Sequence, residues 1–381
     1  MIPYGKQLID EADIAAVVEV LRSDFLTTGP KVADFERAFG NFVGAGEAVA
    51  VSSGTAALHT AAFALGIGPG DEVIVPAMTF AATANCIVFQ GGKPVFADVD
   101  PDTLLLDPAN AESRITPRTR GIVAVDYAGQ PCDYDVLRAI ADRHGIWLFA
   151  DACHSLGGRY KDAPVGTLAR LSAFSLHPVK HITTGEGGMV TTDDPELAAR
   201  MRIFRNHGIT SDYRQRESQG SWYYEMAVLG YNYRLTDFQC ALGMSQLRKL
   251  PGWIARRGEI ARLYDDAFAG HPAVTPLSVR EGVLHAYHLY VIRLGLHALR
   301  AGRGDIFAEL RAAGIGVNVH YIPVHLHPFY RRRFGTRPGT CPVAEAAYER
   351  ILSLPMYPGM SDADVLEVIS AVRIIIEKHS I

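Results

Sequence analysis

The sequence predicts an α/β protein: a mostly parallel sheet covered by helices in a large domain (residues 1–249), then a smaller α+β domain (residues 250–381). Three observations predict it. Short apolar runs recur between residues 47 and 192, helical patterns separate several of them, and the pattern changes beyond a Pro-Gly-Trp at 251–253. Strands alternating with helices form parallel sheets with helices on their faces.

The chain opens with "MIPYGKQLIDEADIAAVVEVL", an acidic amphipathic stretch that lacks the basic flank and apolar centre of a signal peptide. The runs that follow are "EAVAVS" (47–52), "DEVIVPA" (71–77), "KPVFADV" (93–99), "RGIVAVDY" (120–127), "IWLFADA" (146–152), "LSAFSL" (171–176) and "GGMVTT" (187–192). Most are nearly continuous Val, Ile, Ala and Phe, as in strands buried on both faces. "TAALHTAAFALG" and "DYDVLRAIADRHG" read as intervening helices. A helix over about 195–206 precedes the polar, aromatic "TSDYRQRESQGSWYYEMAVLGYNYRLTDFQ", read as a long loop or an excursion to a partner subunit. Beyond 251–253, expected as a boundary, come a helix, a strand "HLYVIRL", a helix "DIFAELRAAG", a strand "GVNVHY" and late helices.

Composition narrows the function. With 381 residues the chain suits about two domains. Its net charge of −4 argues against nucleic acid, which normally requires a basic surplus. The local exception, "YRRRFGTR" (330–337), reads as a solvated loop. No apolar run is long enough to span a membrane. Five scattered cysteines suggest free thiols in a reducing compartment, and a cytoplasmic protein is expected.

Ligands of such sheets bind beyond the C-terminal strand ends. The first strand ends in "SSGTAAL", where Gly54 and Thr55 open a helix whose N–H groups suit either an ordinary cap or a phosphate. The fifth ends in "FADACH", with Asp151 at its terminus and His154 beyond; a buried carboxylate there needs a salt bridge or a cationic ligand. The sixth ends at Ser175, five residues before Lys180 in "HPVKHITTGEGG". A lysine near a core is costly unless it is paired or chemically used. The glycines after it suggest backbone packed against something other than protein. A phosphate cap, a carboxylate for a protonated ring nitrogen and a strand-end lysine together fit pyridoxal 5′-phosphate. His320, His325 and His327 lack accompanying acids or cysteines at familiar metal spacing, so no metal is expected.

Motifs along essentially the whole chain, among them "IPYGKQLID", "LRSDFLTTGP", "SSGTAAL", "MTFAATAN", "DYAGQPCD", "DACHSLGG", "FSLHPVKHITTGEGG", "GYNYRLTD" and "VHYIPVHLHPFY", resemble the sugar aminotransferases, fold-type I pyridoxal-phosphate enzymes. They are most similar to the branch that aminates a UDP-linked 4-keto-6-deoxy sugar in pseudaminic acid synthesis. The resemblance implies that Lys180 is the Schiff-base lysine and Asp151 the pyridine-nitrogen partner. It places the phosphate on Gly54, Thr55 and Ser175, Phe80 on the ring face, and His154, where many relatives have Gln, beside the ring hydroxyl. Asn232 would reach the phosphate of the neighbouring subunit, implying a homodimer with shared sites. Tyr4, Asp24, Phe25, Leu26, Thr27, His320 and Tyr321 would face the sugar nucleotide.

The implied reaction moves an amino group from glutamate to C4 of a UDP-linked 4-keto-6-deoxy-N-acetylhexosamine, giving UDP-4-amino-4,6-dideoxy-N-acetyl-β-L-altrosamine. A different nucleotide-linked keto sugar, at C3 or another C4 ketone, is the competing expectation. A pyridoxal-phosphate sugar dehydratase is disfavoured because such relatives carry His where this chain has Lys180. A regulatory protein on the same fold would need a DNA-binding module, for which the chain has no room.

Overall fold

The computed structural model describes residues 1–211, 213–218 and 220–381. All seven apolar runs form strands of one sheet: β1 (Glu47–Val51), β2 (Glu72–Pro76), β3 (Lys93–Ala97), β4 (Thr119–Val125), β5 (Trp147–Asp151), β6 (Leu171–Ser175) and β7 (Gly188–Thr192). Their order is β1-β7-β6-β5-β4-β2-β3. β7 runs antiparallel to both neighbours, and the other pairs are parallel. β4 and the central strand β5 pair in register, Val125 opposite Asp151, so these two strands end at one level.

The longer helices are α1 (Glu11–Leu21), α2 (Pro30–Val43), α3 (Gly54–Ala64), α4 (Ala81–Phe89), α5 (Tyr134–His144), α6 (Pro195–Phe204), α7 (Asp237–Phe268), α8 (Arg303–Ala312) and α9 (Asp362–Lys378). α3 follows β1 directly and lies across β6 and β7, burying all five of its alanines. That packing aims the start of α3 at the end of β6, the arrangement that builds the site.

A second core gathers Ile2 with residues between Ile260 and Ile376 around the antiparallel strands β8 (Val274–Pro276), β9 (Tyr290–Leu294) and β10 (Ile351–Leu354). Two sequence expectations meet the structure here. Pro251 to Trp253 does not end a helix: α7 runs through it, with Leu247, Leu250 and Ile254 in the first core and Ile260 and Ala261 in the second, so the change of core falls within this helix. Packing at both ends offsets the hydrogen bond that a helical proline removes. "GVNVHY" is no strand either. Asn318 makes one bridge to Ser353, and its side chain turns back to the Val319 N–H, 2.8 Å away, which ends the pairing.

The arginine-rich segment 330–337 is exposed at its arginines but mostly helical, within Pro328–Phe334, where a loop is expected. The aromatic excursion holds a short helix (Tyr213–Ser218) and folds back on itself, with Ile209 bridged to Met226. Asp212 and Gln219 of that stretch lie outside the described residues. Trp222 (85% exposed), Met226 and Leu229 present apolar surface outward. Among the described residues, no helix is long and apolar enough to cross a membrane.

Candidate active site

A cavity of about 370 Å³ opens where β1, β5 and β6 end, walled by segments from both cores. Gly54, Thr55, Phe80, Asp151, His154, Ser175, Lys180, Tyr4, His320 and Tyr321 all line it, although the chain separates them by up to 317 positions (321 − 4).

The anion end is the start of α3. Ser53 caps the helix, accepting from the Ala56 N–H at 3.0 Å. The N–H groups of Gly54 and Thr55 have no intrahelical acceptor and sit at the positive end of the helix dipole. Only glycine fits at 54: a Cβ there would lie 2.7 Å from Ser175 Cβ and 2.9 Å from its Oγ.

At the opposite end Asp151 is buried, 5% exposed. Its Oδ2 accepts from the Thr83 hydroxyl at 2.6 Å and its Oδ1 from the Cys153 N–H at 3.2 Å. Among the described residues, no cation forms an ion pair with it. The salt-bridge alternative is therefore not realised. A buried carboxylate held only by neutral donors is suited to a cationic ligand.

Lys180 follows a turn after β6, its N–H bonded to the His177 carbonyl at 2.9 Å. Burial lowers its amine to about 8, against weaker opposing pulls from Cys153 and Asp151. Its Nζ lies 3.2 Å from His288 Nε2. His154 is held well below the usual imidazole range by burial and then by Lys180, and its Nε2 lies 3.0 Å from the Tyr321 hydroxyl. Burial pushes the Tyr321 phenol up. His320 is lowered to about 3 by burial; its Nδ1 meets Ser353 Oγ at 2.8 Å, and its ring lies 5.5 Å from that of Tyr4. Phe80, 57% exposed at the start of α4, stands at the cavity with its ring 5.9 Å from that of Tyr321; it is not a core residue.

The glycines after Lys180 need a correction. A Cβ at Gly187 would meet Thr184 Oγ1 at 2.1 Å, and one at Gly188 the Ser53 carbonyl oxygen at 2.3 Å. They pack against protein, letting β7 pass beneath the start of α3, and Gly185 takes a positive φ of 82° in the turn. Of the C-terminal histidines, His325 is buried and faces Glu345, 2.8 Å away, apart from His320.

Five expected residues lie outside this cavity and near one another. Asp24, Phe25, Leu26, Thr27 and Asn232 are all exposed. Thr27 bridges to Thr236, the Leu26 carbonyl accepts from the Asp237 N–H at 3.0 Å, and Asn232 bridges to Asn206. The sequence reading missed His288, Thr83 and Cys153. His288 opens a run read simply as a strand, and Thr83 lies on a helix whose register gives no sign of Asp151.

A carboxylate without a cation, an amine poised near neutrality and a helix start closed off by glycine match the three charged or reactive parts of pyridoxal 5′-phosphate. Fold and site define a pyridoxal-phosphate enzyme of the α/β type. Over residues 7–373 the chain matches, and belongs to, the DegT/DnrJ/EryC1/StrS aminotransferase family. It is 45% identical to the spore coat polysaccharide biosynthesis protein SpsC of Bacillus subtilis, covering 99% of this chain and 97% of that one. The putative sugar aminotransferase Spr1654 of Streptococcus pneumoniae, solved in its PMP form, superposes with a TM-score of 0.94 at 36% identity, covering 99% and 100% of the chains. PseC of Helicobacter pylori, an aminotransferase involved in the biosynthesis of pseudoaminic acid, gives 0.93 at 34% identity over 99% of each. The chain is a pyridoxal-phosphate-dependent sugar aminotransferase, and takes a sugar and an amino donor.

Proposed function

We propose that the chain transfers an amino group from glutamate to C4 of a UDP-linked 4-keto-6-deoxy-N-acetylhexosamine, giving UDP-4-amino-4,6-dideoxy-N-acetyl-β-L-altrosamine. The observation that carries this reading is the end-to-end likeness to PseC. The wall of Tyr4, His320 and Tyr321 on the cavity is consistent with it.

When bound, the cofactor supplies an aldehyde carbon for the incoming amine and an electron-withdrawing ring. The protein does the rest. Asp151 would hold the proton on the ring nitrogen, with Thr83 and the Cys153 N–H fixing the carboxylate. Gly54, Thr55 and Ser175 would take the phosphate, and Phe80 and His154 would hold the ring and its hydroxyl. Lys180 would hold the cofactor and move a proton at Nζ; an amine lowered to about 8 can do both near neutral pH. Asn232 of the partner subunit completes the phosphate site in a homodimer, which accounts for its exposure outside its own cavity. The segment from Asp24 to Thr27 is exposed outside its own subunit's cavity and joined to the region of Asn232 by the Thr27–Thr236 bridge, so it would face the sugar nucleotide across the dimer, opposite the cavity wall of Tyr4, His320 and Tyr321.

A second reading keeps the chemistry and changes the sugar, to another nucleotide-linked ketone, because identity to SpsC, a polysaccharide biosynthesis protein, is higher than to PseC. The test is incubation with glutamate and a panel of keto-sugar nucleotides, with products identified by NMR. UDP-2-acetamido-2,6-dideoxy-β-L-arabino-hexos-4-ulose should be aminated at C4 with a higher kcat/KM than its D-xylo epimer, since inversion at C5 moves the methyl group and tilts the ring. Preference for the D-xylo compound, or amination at C3, contradicts the substrate and leaves the aminotransferase intact.

A further inference from the structure

His288 stands in the cavity without a role in the reaction described so far. The segment that carries it is fixed by backbone. The Ala286 N–H donates to the Gly129 carbonyl at 2.9 Å, the Leu289 N–H to the Ala128 carbonyl at 3.1 Å, and His181 Nε2 lies 3.0 Å from the Ala286 carbonyl. A Cβ on Gly129 would come within 2.9 Å of the backbone nitrogens of Tyr287 and His288, so this turn and the histidine segment are in direct contact. The His288 ring is 4% exposed and 4.4 Å from the ring of His154. Among the described residues, its Nε2 has one partner, Lys180 Nζ at 3.2 Å, while Nδ1 is buried with none.

Chemistry fixes the direction of that bond. An ammonium is donor only, so with Lys180 protonated Nε2 must accept, and the ring proton is on Nδ1. The groups facing the ring favour a neutral imidazole: after burial itself, these are Lys180, His154, His181 and Arg257. A neutral Lys180 can keep donating one N–H to the same nitrogen, leaving its lone pair free to take a proton. No tautomer change is needed between the two states.

We propose that His288 is a positioning residue for the known reaction: it accepts a hydrogen bond from Lys180 whenever the lysine is released from the cofactor, holding the amine for proton transfer. The inference rests on the reading of Lys180 as the proton-moving amine. It does not depend on which sugar is aminated.

The test compares His288→Gln, whose amide oxygen can reach the place of Nε2, with His288→Asn, polar but too short. In the apoprotein, trace labelling with an amine-acylating reagent over a pH series, read by mass spectrometry on the peptide containing Lys180, gives the titration of this amine alone. The wild-type midpoint should lie near 8. Losing an acceptor that stabilises the ammonium should lower it by about one pH unit in His288→Asn, with His288→Gln close to wild type. In the loaded enzyme, single-turnover transfer should fall about tenfold in His288→Asn, the KM for the sugar changing little and Gln restoring the rate. An unchanged or higher midpoint in His288→Asn overturns the proposal, as does a Gln variant displaced as far as Asn. A wrong assignment of Lys180 would show separately, as cofactor attached to a different lysine.

Discussion

The Thr83 hydroxyl donates to Asp151 Oδ2 at 2.6 Å, and because its single proton is used there, Thr79 Oγ1, 2.7 Å away, must donate to Thr83 in turn. This chain of hydroxyls, Thr79 before α4 and Thr83 within it, fixes the carboxylate without neutralising it. Asp151→Asn should keep the shape, its Oδ1 accepting from the Cys153 N–H and its NH2 donating to the Thr83 hydroxyl, whose own proton turns to Thr79, yet lose transamination by roughly a hundredfold or more, with weaker cofactor binding. Thr83→Val, which keeps the charge and removes one donor, should cost about tenfold. Steady-state rates and cofactor titration of both variants check this; near-normal activity in Asp151→Asn would make the carboxylate merely structural.

Gly54 and Ser175 are in contact across the start of α3, and this contact is testable by substitution. Gly54→Ala forces a Cβ to 2.7 Å from Ser175 Cβ and should cost about 1–3 kcal/mol. The cofactor's dissociation constant should rise with it, since the displaced turn carries the proposed phosphate donors. Ser175→Ala should not relieve the clash, because its Cβ remains; Ser175→Gly should. Thermal melts with and without cofactor separate the two effects.

Asp126, at the end of β4, accepts from the Ser155 and Tyr134 hydroxyls and the Cys132 N–H at 2.6–2.9 Å, yet burial pushes its carboxyl up to about 7. Unfolded, it would titrate near the ordinary carboxylate value of about 3.9. The folded state thus binds the extra proton. Its contribution to stability is complete below about pH 4 and lost as pH rises through 7, a difference on the order of a few kcal/mol. Denaturant unfolding of the apoprotein at pH 5 and pH 8 should show this loss in the wild type. Asp126→Asn, which stays neutral, should flatten it.

The proposed sharing of the site between two subunits predicts complementation. Lys180→Ala and Asn232→Ala homodimers should each be impaired. Mixed and allowed to exchange subunits, they should form heterodimers with one site containing both intact residues. Activity that fails to recover despite demonstrated exchange would place both residues in one subunit's site.

Much of this was legible in the chain because buried strands write continuous apolar runs, and every run from 47 to 192 became a strand of the main sheet. Asp151, Ser175 and Gly54 were legible because strand ends and helix starts are where such sheets put ligands. What the sequence hid depends on contacts between distant segments. Pro251 looks like the end of an element, yet α7 runs through it with one end buried in each core. Gly187 and Gly188 announce a close approach but not to what, and the answer is Thr184 and Ser53. His288 meets Lys180 across 108 positions through a turn at Gly129 that no periodicity marks.

The central claim is that Lys180 is the amine that holds the cofactor. Borohydride reduction of the loaded enzyme, followed by peptide mapping, tests it most directly. A pyridoxyl group is expected on Lys180, and Lys180→Ala should bind cofactor without retaining it covalently or turning over. The same group found on another lysine, or retained covalently by Lys180→Ala, would contradict it.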